Sequence, residues 1–249
     1  MAHADDMEYY VGGTIPKFVD QGYEAILLML SNNMAGGKIK TDGGYLTNLP
    51  EDLMPVREAE MRAGAEILGV KTIETVGFKN GLYFTGEKVA WIGDPEYDVH
   101  HPAGREPMEA ADLNQRCINL IQGYLEKYEP EIVVTHNFSS GFEHTASAHL
   151  VNQAFGQAAK AGAAVGSLWI PAHVRHCAWE SDVRLFPSPN VLIDISDYWE
   201  RKLAALRAHV SQRVEGTIAN IETIDRYWGI ARNCKYAEPF FTIHDARYK

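Results

Sequence analysis

The sequence predicts an α/β fold: a doubly wound, mostly parallel sheet with helices on both faces. Three observations point there. Residues 23–30 (YEAILLML) form a continuous apolar run of strand length, the pattern of a strand covered on both faces. Strand-like and helix-like stretches then alternate along the chain at the spacing of βαβ units. Finally, 249 residues at 46% hydrophobic suffice for one large core, so 1–249 reads as a single domain.

Taken in order, Val11, Ile15, Phe18 and Val19 fall at helical spacing within 8–21, and Gly22 is the expected stop. After the strand at 23–30, residues 31–49 are rich in Asn, Gly and Thr. They read as a loop at the strand's carboxyl end, where open α/β sheets hold their ligands. A helix over 55–69 and a β-branched strand over 70–76 follow, with Asn80 just beyond. Residues 83–107 read as an insertion that rims the cleft, and His100-His101 within it as a mobile surface pair. The pattern continues with a helix over 108–128, a strand over 131–135, a loop over 136–143 and a helix from His144 towards Ala161. Strands over 167–170 and 190–195, helices over 197–210 and 215–232, and a tail at 236–241 complete it. A doubly wound fold places a strand before His3, where only Met1 and Ala2 stand. The expectation is therefore a truncated first strand, by an upstream start or as a stub, and a poorly anchored loop around His3 and Asp6.

The bulk properties exclude several classes. A formal charge of −10 argues against a nucleic-acid surface, which relies on clustered Lys and Arg. No apolar stretch reaches transmembrane length and the acidic N-terminus is no signal peptide, so a cytoplasmic protein without a membrane partner is expected. Cys117, Cys177 and Cys234 are odd in number and widely spaced, which reads as reduced, buried, small apolar residues.

The chemistry concentrates at the start. His3, Asp5 and Asp6 bring an imidazole and two carboxylates into four positions. Divalent metals such as zinc take both donor types, and an open zinc site needs only three protein ligands. A further carboxylate beside such a site can accept a proton from water. By itself the tetrapeptide reads as a solvated helix start with an Asp N-cap, so the remaining chain has to decide. A third ligand belongs at the carboxyl end of a buried strand, and His136 and His144 both stand there, at the two ends of the loop after EIVVT. Glu143 beside His144 is a carboxylate able to orient an imidazole.

His3-Ala4-Asp5-Asp6, followed by Glu8 and Gly12-Gly13-Thr14, resembles the AHPDD…E…GGT signature of the PIG-L/LmbE-like N-acetylglucosaminyl deacetylases. Arg57-x-x-Glu60 with Leu68-Gly69-Val70 is similar to that family's R-x-x-E…LGV stretch. Thr135-His136 and Glu143-His144-Thr145-Ala146 fall where it has its TH and HPDH-x-A stretches. Lys202, His209-Val210-Ser211-Gln212 and Tyr236-Ala237-Glu238-Pro239-Phe240 resemble its closing segments. The resemblance spans nearly the whole chain. It implies a Rossmann-like fold and a metal-dependent amidohydrolase, with Zn2+ or another divalent ion such as Fe2+ on His3, Asp6 and His144. It also implies Asp5 as general base and Arg57 and Asn80 as sugar contacts, Asn80 standing where the family often has Asp. For Arg57 a surface helix Arg paired with Glu60 is the competing reading.

Three positions depart from the pattern: Ala4 for Pro, Glu143 for Asp, and Gly141 for the first His of HPDH. The family's His is held to assist the oxyanion or the leaving group. His136, His149, His173 and His176 are the candidates to replace it. The expected activity is release of acetate from an N-acetylated amino sugar or its conjugate, by a protein that forms homo-oligomers as relatives often do. The alternatives are an amidase of another small N-acyl substrate and a metal- or sugar-binding member that has lost hydrolysis.

Overall fold

The computed structural model describes residues 1–33, 39–41, 44–46, 50–84, 89–91, 106–138, 142–172, 189–212 and 214–245. In chain order these form α1 (Asp6–Val11), α2 (Thr14–Asp20), β1 (Ile26–Ser31), β2 (Ile39–Thr41), β3 (Gly44–Leu46), α3 (Pro50–Leu68) and β4 (Thr72–Phe78). Then come β5 (Leu82–Phe84), β6 (Val89–Trp91), a 3-10 turn at Met108–Leu113, α4 (Gln115–Tyr128), β7 (Ile132–Val134) and α5 (Phe142–Ala161). The remainder is β8 (Ser167–Pro171), β9 (Val191–Asp194), α6 (Trp199–Arg207), α7 (Val214–Arg232) and β10 (Ala237–Asp245), with 3-10 turns at Ser196–Tyr198 and Val210–Gln212. The predicted α/β class is what forms.

The chain divides into two compact units, Met1–Pro107 with Ile193–Glu238, and Met108–Leu192 with Pro239–Lys249. In the first, β1 and β4 pair in parallel around the crossover helix α3. The α3 residues Leu53, Arg57, Glu60, Met61, Gly64, Ala65 and Leu68 are buried, the stripe that a period of 3.6 places on one face. The β1/β4 register shifts between Met29 and Ser31, and Gly77 takes φ +81° there. This bulge sets where Phe78 and Asn80 leave the strand. In the second unit β7 and β8 are parallel around α5, while β10 joins β8 antiparallel, in a sheet of order β7-β8-β10-β9. Its core includes Ile118, Ile121, Ala148, Leu150, Leu168 and Ile170.

Several elements differ from the sequence expectation for identifiable reasons. The helix expected over 8–21 is two helices, broken at Gly12-Gly13. That over 108–128 is a 3-10 turn followed by α4, because the Asn114 side chain caps α4 by accepting from the Arg116 N–H at 3.0 Å. The expected tail is β10, a strand between two others. Pro239 lacks an N–H and reads as a breaker, yet its carbonyl still accepts from Ala172 N at 2.9 Å. Cys117 is buried as expected, whereas Cys234 is half-exposed, its thiol donating to the Tyr236 carbonyl. His100-His101, Gly141, His173, His176, Cys177 and most of 83–107 lie outside the described residues. Among the described residues no helix is long and apolar enough to cross a membrane.

Candidate active site

The N-terminal segment is anchored where the sequence suggested a weakness. Met1 N donates to Leu28 O at 2.7 Å, Leu30 N to Met1 O at 2.9 Å and Ser31 N to Ala2 O at 3.2 Å, so residues 1–2 run along β1 as a short stub. Ala4 N donates to Asn33 Oδ1 at 2.8 Å, and Asn33 reaches it from a left-handed backbone with φ +56°. The asparagines after β1 thus hold the loop that carries His3.

The two adjacent aspartates point to different partners. Asp6 Oδ2 accepts the His3 backbone N–H at 2.6 Å and lies 3.4 Å from His3 Nδ1, which brings these two candidate ligands together. Asp5 Oδ1 accepts from Arg57 Nη2 at 3.0 Å. Asp5 occupies the N-cap position of α1 but makes no side-chain capping bond, and every residue of α1 is buried. A solvated helix start does not describe this segment. Arg57 is 2% exposed and Glu60 is engaged elsewhere, so a surface Arg57–Glu60 pair does not form. Asn80 is completely buried, its backbone N–H donating to Asn32 Oδ1 at 3.4 Å.

Two buried ionic clusters lie in the same unit. Glu8 Oε1 faces His209 Nε2 at 3.3 Å, with neither side chain exposed. Burial pushes the Glu8 carboxyl up, against the pull of the neighbouring His209. Burial opposes the His209 cation, but the adjacent Glu8 carboxylate, with Asp5 and Glu60 behind, raises its pKa overall. Glu60 accepts from Ser211 N at 2.8 Å and Ser211 Oγ at 2.7 Å. Elsewhere Lys202 Nζ donates to Asp225 Oδ2 and to Glu238 Oε1, each at 2.7 Å, and Glu238 also receives the N–H groups of Gly13 at 2.9 Å and Thr14 at 2.8 Å. The sequence noted Glu8, Lys202, His209 and Glu238 only as matching positions. Asn33 and Asp225 it did not single out.

In the second unit His144 is buried near the start of α5, and its ring stacks on His136 at 4.3 Å between centroids, 2° from parallel. His136 is fully buried and His149 is exposed. Asn137 Nδ2 donates to Pro171 O at 2.9 Å, fixing the turn after β7.

Fold and site together define an α/β protein with a His–Asp pair and a separate, Arg-bound carboxylate at the carboxyl end of a parallel strand, the setting of a hydrolase. The sequence model of the GlcNAc-PI de-N-acetylase (PIG-L) family matches residues 1–155, and the chain belongs to that family. It is 28% identical over 240 residues to the diacetylchitobiose deacetylase of Thermococcus kodakarensis, covering 95% of this chain and 78% of that protein. Among solved structures, N,N'-diacetylchitobiose deacetylase from Pyrococcus horikoshii superposes with TM-score 0.66 at 20% identity, over 99% of this chain and 83% of that one. GalB, the 4-carboxy-2-hydroxymuconate hydratase of Pseudomonas putida KT2440, gives 0.68 at 20% identity, over 98% and 94%. The fold is thus shared by deacetylases and by a hydratase.

Proposed function

We propose that this protein is a metal-dependent N-deacetylase that hydrolyses the acetamide of an amino sugar or its conjugate, releasing acetate and a free amine. The observation that carries the reading is the division of labour between Asp5 and Asp6: one carboxylate is turned to His3, the other is held apart by Arg57. The sequence relatives that are deacetylases of N-acetyl sugars support it.

His3, Asp6 and His144 are the proposed ligands. Two imidazoles and a carboxylate suit zinc, and equally iron(II). Bound there, such an ion supplies Lewis acidity towards an amide carbonyl and lowers the pKa of water. The stacked His136 ring restricts the orientation of His144. Asp5 takes the proton of the attacking water and returns it to the leaving amine. Arg57 orients Asp5 through the 3.0 Å bond from its Nη2 and is the proposed first sugar contact, a guanidinium carrying five donors. Asn80 is proposed as the second sugar contact.

The test is elemental analysis of protein purified without chelator, beside a free-amine assay on N-acetylglucosamine, diacetylchitobiose and simple glycosides. Asp5→Asn is expected to retain metal and lose most turnover, His144→Ala to lose metal. Equal turnover in Asp5→Asn and wild type would sink the mechanism. Metal and sugar binding without acetate release across the panel would favour a member that has lost hydrolysis, and water addition to an unsaturated acid without amide cleavage would favour the hydratase chemistry of GalB.

A further inference from the structure

We propose that His209 is a positioning residue for the general base Asp5, acting through Glu8 on the first turn of α1. The inference rests on the function proposed above. Asp5 and Glu8 are three residues apart at the start of one helix, where the Tyr9 N–H donates to the Asp5 carbonyl at 3.2 Å. Side chains at that spacing share a face, so a restraint on Glu8 restrains the backbone that aims Asp5. The restraint comes from His209, whose Nε2 lies 3.3 Å from Glu8 Oε1 with both side chains sealed from solvent.

His209 is itself held firmly. Its N–H donates to Leu206 O at 3.1 Å and its carbonyl accepts from Gln212 N at 3.0 Å, while Ser211 in the same turn makes two bonds to Glu60. One face of α3 serves both the direct bond to Asp5 and the restraint that reaches it through Glu8. Arg57 bonds the Asp5 carboxylate directly, Glu60 fixes the turn that carries His209, and Gly64 leaves the space in which Glu8 and His209 meet. A Cβ on Gly64 would strike Glu8 Oε1 and come within 3.2 Å of His209 Nε2. Well-packed apolar side chains often replace such a buried pair at no loss of stability. The buried pair therefore calls for a reason other than packing, and the carboxylate one turn away supplies it.

The experiment compares His209→Leu, His209→Gln and Glu8→Gln with wild type by thermal melting, by Co2+ titration followed in the visible spectrum, and by kcat and KM on whichever N-acetyl sugar the wild type accepts. Groups that orient a metal site from behind its ligands typically change affinity or activity by about 10–100-fold. His209→Leu, assayed well below its melting point, is expected to lower kcat at least tenfold with KM within threefold, and to weaken Co2+ binding. His209→Gln places an N–H donor near the Nε2 position and should recover most of both losses. Should His209→Leu fail to fold, Glu8→Gln carries the same expectation without a change of size. A lower melting temperature with kcat and Co2+ affinity unchanged in all three variants overturns the positioning role alone. If the wild type shows neither Co2+ binding nor acetate release, the function on which the proposal rests is overturned with it.

Discussion

Replacing Asp225 by Asn should remove a pH dependence of folding. Asp225, Glu238 and Lys202 are all fully buried, two carboxylates around one ammonium. If both acids ionise, the cluster keeps an uncompensated negative charge in a low dielectric. Glu238 is the better hydrogen-bonded of the two carboxylates, with bonds from Gly13, Thr14 and Lys202. Burial pushes the Asp225 carboxyl up to about 7; Lys202 opposes this and the charge of Glu238 adds to it. The folded pKa thus exceeds the unfolded value of 3.8, and between these limits the folded state binds more protons. Stability from this group is full below the unfolded pKa and declines as pH rises, by roughly 1.4 kcal/mol per pH unit and about 4 kcal/mol over the window. Asn mimics the protonated acid and does not titrate. Urea unfolding followed by tryptophan fluorescence across that window should therefore show the stability of wild type falling relative to Asp225→Asn. Parallel curves would mean that Asp225 is ionised throughout and that Lys202 outweighs burial; a difference of opposite slope would mean that its pKa is depressed.

Gly64→Ala should destabilise by about 1–3 kcal/mol despite the better helix propensity of Ala, because the methyl overpacks Glu8 and His209; a variant as stable as wild type in urea unfolding would show that the pair can yield. Arg57→Met should cost about 3 kcal/mol by taking a guanidinium away from a buried carboxylate, and the double variant with Asp5→Asn should recover much of it, a coupling that a double-mutant cycle measures and whose absence would refute the bond. Ala4→Pro removes the N–H that bonds Asn33 Oδ1 and should destabilise by about 1–3 kcal/mol; a higher melting temperature would show that ring rigidity matters more than the bond.

Much of the fold was legible because buried strands and amphipathic helices leave periodic traces. The run at 23–30 becomes β1, displaced by a few residues to Ile26–Ser31, and EIVVT contains β7. The α3 stripe holds a less obvious message. Arg57 and Glu60 sit on the same face as Leu53, Met61 and Leu68, so the 3.6-residue period already buried both, and a charged residue on an apolar face needs a partner. Which partner each takes is set by distant segments, Asp5 from the first turn and Ser211 from the third last element, and no local pattern encodes such a pairing. β10 was hidden by Pro239, which weakens a strand locally and is tolerated because its carbonyl side still pairs. The helix breaks at Gly12-Gly13 and Asn114 depend on single capping or contact atoms, beyond the resolution of periodicity.

The N-terminal loop shows how a departure from the family pattern is offset. Proline at position 4 would fix φ and present no N–H. Ala4 gives up that rigidity and gains a donor, and the structure uses it: Asn33, in a conformation that Asn tolerates better than most residues, turns its side-chain oxygen to the Ala4 N–H. Asn33 is in turn placed by the end of β1, where Ser31 Oγ accepts its N–H at 3.3 Å and the stub of residues 1–2 lies alongside. Asn32, from the same turn, receives the Asn80 N–H after the β4 bulge. The Asn-rich stretch after β1, read from sequence only as a loop, thus joins the segment carrying His3, Asp5 and Asp6 to the proposed sugar contact. The rigidity a proline would have built into the loop is supplied by hydrogen bonds from the adjacent strand end.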